Sequence, residues 1–261
     1  MRALDIAASG MLAQQRNVAV ISNNLANMNT TGYKRRRTEF QDLLYQNLRR
    51  VGSTSSDAGN VVPAGVQLGL GVKLAAVYRI HEQGNLNSTD NTFDMAIEGP
   101  GFFQIELPTG ETSYTRDGSF QLNASGEIVT HDGYKVLPGI SIPSNAIDVT
   151  INESGEVLVK LDGQTTLSNV GQIQIAVFQN DAGLEAVGNN LFIETPASGS
   201  AIAGNPAATD FGSILQGFLE TANVNAVEEI TELISAQRAF EMNSKVVTTA
   251  DDVLNTISQM K

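Results

Sequence analysis

The 261-residue chain contains no cysteine and no tryptophan. Without cysteine there is no disulfide, no thiolate metal site and no cysteine nucleophile. Missing thiols also suit a chain that crosses unfolded into an oxidising space. No run of eighteen apolar residues occurs, so nothing reads as a membrane-spanning helix. Asp5, Ser9, Gln14, Gln15 and Arg16 interrupt any apolar stretch that could act as a cleaved signal peptide. The two histidines, His81 and His131, stand alone, outside any zinc-binding spacing, and both read as surface residues. No Gly-x-Ser-x-Gly elbow is present. Asp117 and Asp132 sit in Asp-Gly pairs, where their work is to shape turns. The segment 114–118 reads as an exposed hairpin rather than a site. Basic residues are outnumbered, 16 Lys and Arg against 28 Asp and Glu, and the net charge of −12 argues against nucleic acid as the main partner. No catalytic, cofactor-binding or metal-ligating residue emerges, and no cofactor is expected. The enzyme alternative is a carbohydrate-binding or carbohydrate-processing β-domain, which needs two carboxylates facing across a cleft.

What is present is periodicity at both ends. Residues 217–261 read as one long amphipathic helix. Leu233, Phe240, Val247 and Leu254 recur every seven residues, with Ala236, Asn243, Ala250 and Ile257 three positions later. That is the a/d seam of a coiled coil. Asn225 is placed to cap the first turn, with Glu228 three residues on. Residues 3–28 carry a matching pattern: Leu4, Met11, Val18 and Leu25, then Ala7, Gln14, Ile21 and Met28. The two termini are therefore complementary, and the same pattern also fits two helices covering one chain's own core. Polar seam positions such as Gln14 and Asn243 weaken a pair but set its register.

Between the helices the hydrophobic content, 41% overall, allows one or two folded domains. Asn23, Asn24, Asn27 and Asn29 crowd the end of the first helix, at a cost unless their amides make specific bonds. Gly32 is suited to stopping it. Lys34, Arg35, Arg36 and Arg37 form a basic run that reads either as a solvated loop or as an arm meeting an acidic face of a neighbour. Residues 39–48 fit a short helix, with Phe40, Leu43, Leu44 and Leu48 on one side. The polar, Ser- and Gly-rich stretch 52–60 reads as a flexible loop. From 72 to about 195 short strand patterns alternate with Asp117-Gly118, Ser125-Gly126, Asp132-Gly133, Ser154-Gly155 and Asp162-Gly163 turns. This spacing predicts an antiparallel barrel or sandwich inserted between the terminal helices, an α+β chain overall.

The two ends carry more than periodicity. Ser9-Gly10-Met11, Gln14-Gln15, Ile21 through Asn27 and Asn29 through Lys34 resemble the N-terminal signature of the bacterial flagellar rod and hook family. Gly217 through Glu220, Asn223 through Asn225, Glu228-Glu229, Ala236 through Glu241, Asn243 through Lys245 and Thr249 through Asp251 resemble its C-terminal signature. Within the family the chain is most similar to distal-rod members, through the 52–71 insertion and Glu241-Met242-Asn243-Ser244-Lys245. The stretch Ile97 through Phe103 is common to the family and does not discriminate. Asp5 departs from the aromatic residue frequent at that position, which bears on packing of the first helical turn.

The resemblance implies a structural subunit, not an enzyme. It implies a division into an inner-tube helix (1–32), a connecting arm (33–71), a β-rich outer domain (72–205) and a return segment with the second inner-tube helix (206–261). It implies export by the flagellar apparatus without a cleaved signal, and location in the basal body at the level of the periplasm and outer membrane. It further implies polymerisation into a hollow shaft carrying torque from motor to hook. Proximal rod proteins would lie below, hook protein above and ring proteins around it, with no nucleic acid and no membrane insertion. A proximal-rod or hook role is the nearest alternative. The helix-pair interface would then comprise Leu4, Met11, Val18, Ile21, Leu25, Leu233, Phe240, Val247, Leu254 and Ile257. Polar contacts between subunits would come from Asn23, Asn24, Asn27, Arg35, Arg36, Arg37, Gln237 and Arg238.

Overall fold

The structure, a computed structural model, describes residues 2–49, 64–163 and 166–260. The Ser-rich loop 52–60 and much of the 52–71 insertion lie outside these residues. The chain is α+β, with a helix at each end and strands between. It divides into two compact units, one built from Met1–Leu25, Arg36–Tyr78 and Asn225–Lys261, the other from Ala26–Arg35 and Arg79–Val224.

The first unit holds both helices, α1 (Arg2–Ala26) and α2 (Ala226–Gln259). Asn225 caps α2 as its position suggested, its side-chain oxygen accepting the Val227 N–H at 3.1 Å. Glu228 and Glu229 place negative charge at the positive end of the helix dipole. The helix does not reach back to residue 217. Phe218–Glu220 is a strand paired with Leu86–Ser88. A ladder satisfies that backbone, while the helix begins where a capping side chain is available. The two helices run antiparallel: Asn24 donates to Glu229 (3.1 Å), and a Cβ added at Gly10 would stand 2.9 Å from the Asn243 amide.

Residues 39–48 hold two strands joined at 43–44, not a helix. Arg36–Asp42 pairs with Val72–Arg79, and Tyr45–Arg49 pairs with Val66–Gly69. The helical spacing of Phe40, Leu43, Leu44 and Leu48 was overridden by partner strands at 66–69 and 72–79, which sequence spacing alone does not register. Gly69 leaves room for the ring of Tyr45 opposite it. Gly71, at φ 121°, sits so close to Ser9 that a Cβ there would overlap the Ser9 hydroxyl.

The second unit is antiparallel β. Strand Phe102–Glu106 lies inside its largest sheet, between Thr112–Thr115, Lys135–Val136 and Ile175–Val177. A separate three-stranded meander joins Ala146–Ile151, Glu156–Leu161 and Leu167–Gln172. Alternation along Phe102–Glu106 sends Phe103 and Ile105 into the main core, with Met95, Phe120, Val157, Ile175 and Ile214. Phe102 points the other way, into a second cluster with Tyr114, Phe178 and Phe192. The Gly126, Gly133, Gly155 and Gly163 turns all have the positive φ expected of them. Asp117-Gly118 does not form such a turn. Gly118 packs against the Met95 carbonyl, where any Cβ would clash, so the glycine is there for close approach.

Candidate assembly interface

In the helical unit the seam positions form the less exposed stripe of each helix. On α1, Ala7 and Ile21 are buried and Leu4, Met11, Val18 and Leu25 half-buried. On α2, Ala236 is buried and Leu233, Asn243, Val247, Ala250 and Leu254 are half-buried. Phe240 and Ile257, predicted for the same stripe, remain 39% and 54% exposed. A second set of apolar side chains lies off the seam positions, Val227, Ile230 and Ile234 on α2 and Ile6 and Leu12 on α1, with Val246 and Val253 flanking the seam, all exposed. At one end of the pair, Ala3 and Leu4 with Val246, Ala250, Val253 and Leu254 line an apolar groove of about 560 Å³. Monomeric proteins seldom leave such stripes uncovered.

The polar candidates divide. Asn24, which the sequence places among contacts to a neighbour, is engaged within its own chain. It is buried, bonds the Arg36 carbonyl and N–H (2.8 and 2.9 Å) and donates to Glu229. It therefore closes the chain reversal between α1 and the first strand. Asn27 accepts from the Thr30 hydroxyl at 3.2 Å. Arg37 lines a groove of about 380 Å³ with Gln14, Asn17 and Glu232. Asn23, Gln237 and Arg238 are exposed.

In the β-rich unit the structure corrects three expectations. Lys34 is not part of a solvated run. It is 2% exposed and lies 2.6 Å from Glu220, with the Glu82 carbonyl as a second acceptor at 2.8 Å. Segment 114–118 is no exposed hairpin, because Tyr114, Thr115 and Arg116 are buried. The Arg116 guanidinium donates to the carbonyls of Ile97 (3.2 Å) and Gly99 (2.6 Å) and reaches Glu220 at 3.4 Å. Glu220 also accepts the Gly84 N–H at 2.8 Å, so one buried carboxylate is held by two cations and a backbone amide. Burial pulls the Lys34 ammonium below its ordinary range despite the opposing effect of Glu220. Burial likewise lowers Arg116.

His81 is not a surface residue either. Its ring sits edge-on to Phe102 and Phe192, at 5.9 and 6.2 Å between centroids. Among the described residues neither ring nitrogen has a hydrogen-bond partner. Burial first, then the charges of Lys34, Arg79 and Arg116, push its pKa down to about 4. The imidazole is thus held neutral, as an aromatic filler. Spacing could not pair this cluster, since Lys34 and Glu220 are 186 residues apart. The one available signal was Glu220 itself, an acid within the otherwise apolar Phe218-Leu219 strand. Among the described residues no group of three His, Asp or Glu side chains is arranged to hold a metal ion. Among the same residues no helix is long and apolar enough to cross a membrane.

Three family models match the chain. Residues 4–34 match the flagella basal body rod protein model and 96–159 the flagellar hook protein FlgE/F/G D1 domain. Residues 215–260 match the flagellar basal body rod FlgEFG protein C-terminal model. The flagellar basal-body rod protein FlgG of Caulobacter vibrioides is 60% identical over 261 residues, covering all of both chains. That of Agrobacterium fabrum is 52% identical over 99% of each chain. That of Borreliella burgdorferi is 49% identical, over 100% of this chain and 99% of its own.

Proposed function

Since the chain belongs to the flagellar rod and hook family and is most like its FlgG members, we propose that it is the distal-rod subunit, polymerising through its terminal helices into a rigid hollow shaft that carries torque from motor to hook. The family is structural, and the rod relatives are named as proteins of the flagellar basal body. The observation that carries the finer reading is the uncovered apolar surface of the two helices. Val227, Ile230, Ile234, Val246, Val253, Ile6 and Leu12 are left 40% to 75% exposed by the described residues. Neighbouring copies cover them, and the seam of Leu4, Met11, Val18, Ile21, Leu25, Leu233, Phe240, Val247, Leu254 and Ile257 closes as a coiled coil in that setting.

On this reading, residues 1–32 and the helix within 206–261 form the inner tube, 33–71 braces neighbours, and 72–205 packs outside. Asn23, Asn27, Arg35, Arg36, Arg37, Gln237 and Arg238 contribute polar contacts between subunits. The distal position is favoured by the 52–71 insertion and by full-length similarity to the FlgG relatives. A proximal-rod or hook position in the same shaft is the alternative. Export proceeds through the flagellar apparatus without signal cleavage. The assembled rod spans the periplasm to the outer membrane, with proximal rod proteins below, hook protein above and ring proteins around it.

The test is electron microscopy of the concentrated chain beside hydrogen exchange on the dilute one. Tubes, with residues 3–28 and 225–258 protected only in the tubes, are the expected result. A monodisperse chain whose helices are already protected refutes the reading. Deleting residues 52–61 separates distal rod from hook: it is expected to leave tubes that bend more easily, and unchanged stiffness counts against the distal assignment.

A further inference from the structure

The main chain passes between the two units four times, at 25–26, 35–36, 78–79 and 224–225. Inside the β-rich unit, the residues adjoining three of these passages are bonded to one another. The Arg35 N–H donates to the Asn223 side-chain oxygen at 2.7 Å. The Asn223 amide nitrogen donates to the carbonyls of Ile80 (2.9 Å) and Glu82 (3.0 Å). The backbone repeats the pattern: the Ile80 N–H donates to the Arg35 carbonyl (2.9 Å) and the Asn223 N–H to the Tyr33 carbonyl (3.4 Å). One asparagine side chain therefore bridges segments 33–35, 80–82 and 221–223. The fourth passage is tied in six residues later, where the Gly32 N–H donates to the Glu220 carbonyl at 2.8 Å. Behind the asparagine stands the buried cluster of Lys34, Glu220 and Arg116, which anchors the same three segments to the β core.

A single backbone passage is a natural hinge, because a few φ/ψ changes absorb a large rotation. Several passages held at hydrogen-bond distance cannot rotate independently, so a force on one is shared by all. Asn223 suits this task because its amide donates twice and accepts at once, which neither a hydroxyl nor a carboxylate does in the same geometry. We propose that Asn223 is a positioning residue that clasps the inter-unit passages into one joint, and that this clasp sets the bending stiffness of the assembled polymer. The inference rests on the polymer reading above. Nothing in the helix faces or the 52–71 insertion requires it.

The experiment compares wild-type, Asn223→Asp and Asn223→Ala chains. Tubes are imaged for persistence length, and the unassembled chains are melted by circular dichroism. Asn223→Asp keeps the acceptor for Arg35 but loses both donors, and Asn223→Ala loses all three bonds. The expected result is a β-rich unit that stays folded in both variants, with stiffness below wild type in each, the aspartate also setting a carboxylate oxygen against the Ile80 and Glu82 carbonyls. Loss of tubes by the alanine variant with the β-rich unit intact is the extreme form of the same result. Tubes of wild-type stiffness overturn the proposal. So does unfolding of the β-rich unit in both variants, which would make Asn223 an ordinary core residue. A wild-type chain that forms no tubes overturns the polymer reading, and the clasp's role falls with it.

Discussion

The two units solve the problem of apolar surface in opposite ways. In the β-rich unit Met95, Phe103, Ile105, Val157 and Ile175 are sealed from water by the chain's own strands. In the helical unit, 25 residues of α1 bury Ala7, Ala13, Ile21 and Asn24, and 34 residues of α2 bury Glu229 and Ala236. Long helices gain most of their stability from packing rather than propensity. Among the described residues, a helix that buries two of 34 positions has little packing to draw on. The comparison teaches that the β-rich unit holds its stability within its own chain, and that assembly, on the reading proposed above, would fall to the helices.

That contrast breaks most sharply in the β core. Phe103→Ala removes a fully buried ring that stands edge-on to Phe120 at 5.1 Å. It is expected to cost about 3–5 kcal/mol in thermal or denaturant unfolding of the unassembled chain. Next comes pH. His81 is neutral in the fold with a pKa of about 4, against an ordinary value of 6.5. Above pH 6.5 both folded and unfolded states hold it neutral, and its contribution is complete. As pH falls from 6.5 to 4 the unfolded chain takes up the proton and the folded one does not, so stability drops by about 3 kcal/mol. Below 4 no further loss comes from this group. His81→Leu is expected to flatten denaturation midpoints across that window, and an unchanged slope would exclude the histidine as its source.

Smaller effects belong to the helices. Asn225→Ala deletes the cap on α2 and should cost about 1 kcal/mol locally, read as faster amide exchange over residues 226–229. Smallest of all on the unassembled chain is Ile257→Asp, at an exposed position, with a shift within about 0.5 kcal/mol. The same substitution is expected to abolish tubes, as is Phe240→Asp. A variant that is stable, helical and still assembles at normal yield would erase the distinction between the units.

Much of this was legible in sequence, and for physical reasons. Helical periodicity at Leu4 through Leu25 and Leu233 through Leu254 survives because a helix repeats its own geometry without reference to anything else. Positive-φ turns at Gly126, Gly133, Gly155 and Gly163 are local in the same sense. What failed was non-local. Residues 39–48 looked helical until strands from 66–69 and 72–79 paired with them. Lys34, His81 and Arg116 looked solvated because their burial depends on Glu220, Phe102 and Phe192, contributed from distant strands. That Asn24 bonds Arg36 and Glu229 of its own chain was likewise beyond local spacing, since Glu229 lies 205 residues away.

The antiparallel register of the two helices has a geometric consequence. Going from Asn24 to Gly10 on α1 takes the same fourteen-residue step as from Glu229 to Asn243 on α2. Followed to its end, that register reaches Arg2 while α2 still has about two turns to run, roughly 12 Å at 1.5 Å per residue. The pair is thus cut unevenly, like a strip of tape with one edge left beyond its backing, and Ile257 and Met260 lie on that edge, 54% and 76% exposed. A sticky overhang of this kind has no matching copy of itself at the other end of the pair. A neighbour that met this overhang with any other part of its surface would make a heterologous contact, the kind that can continue from subunit to subunit.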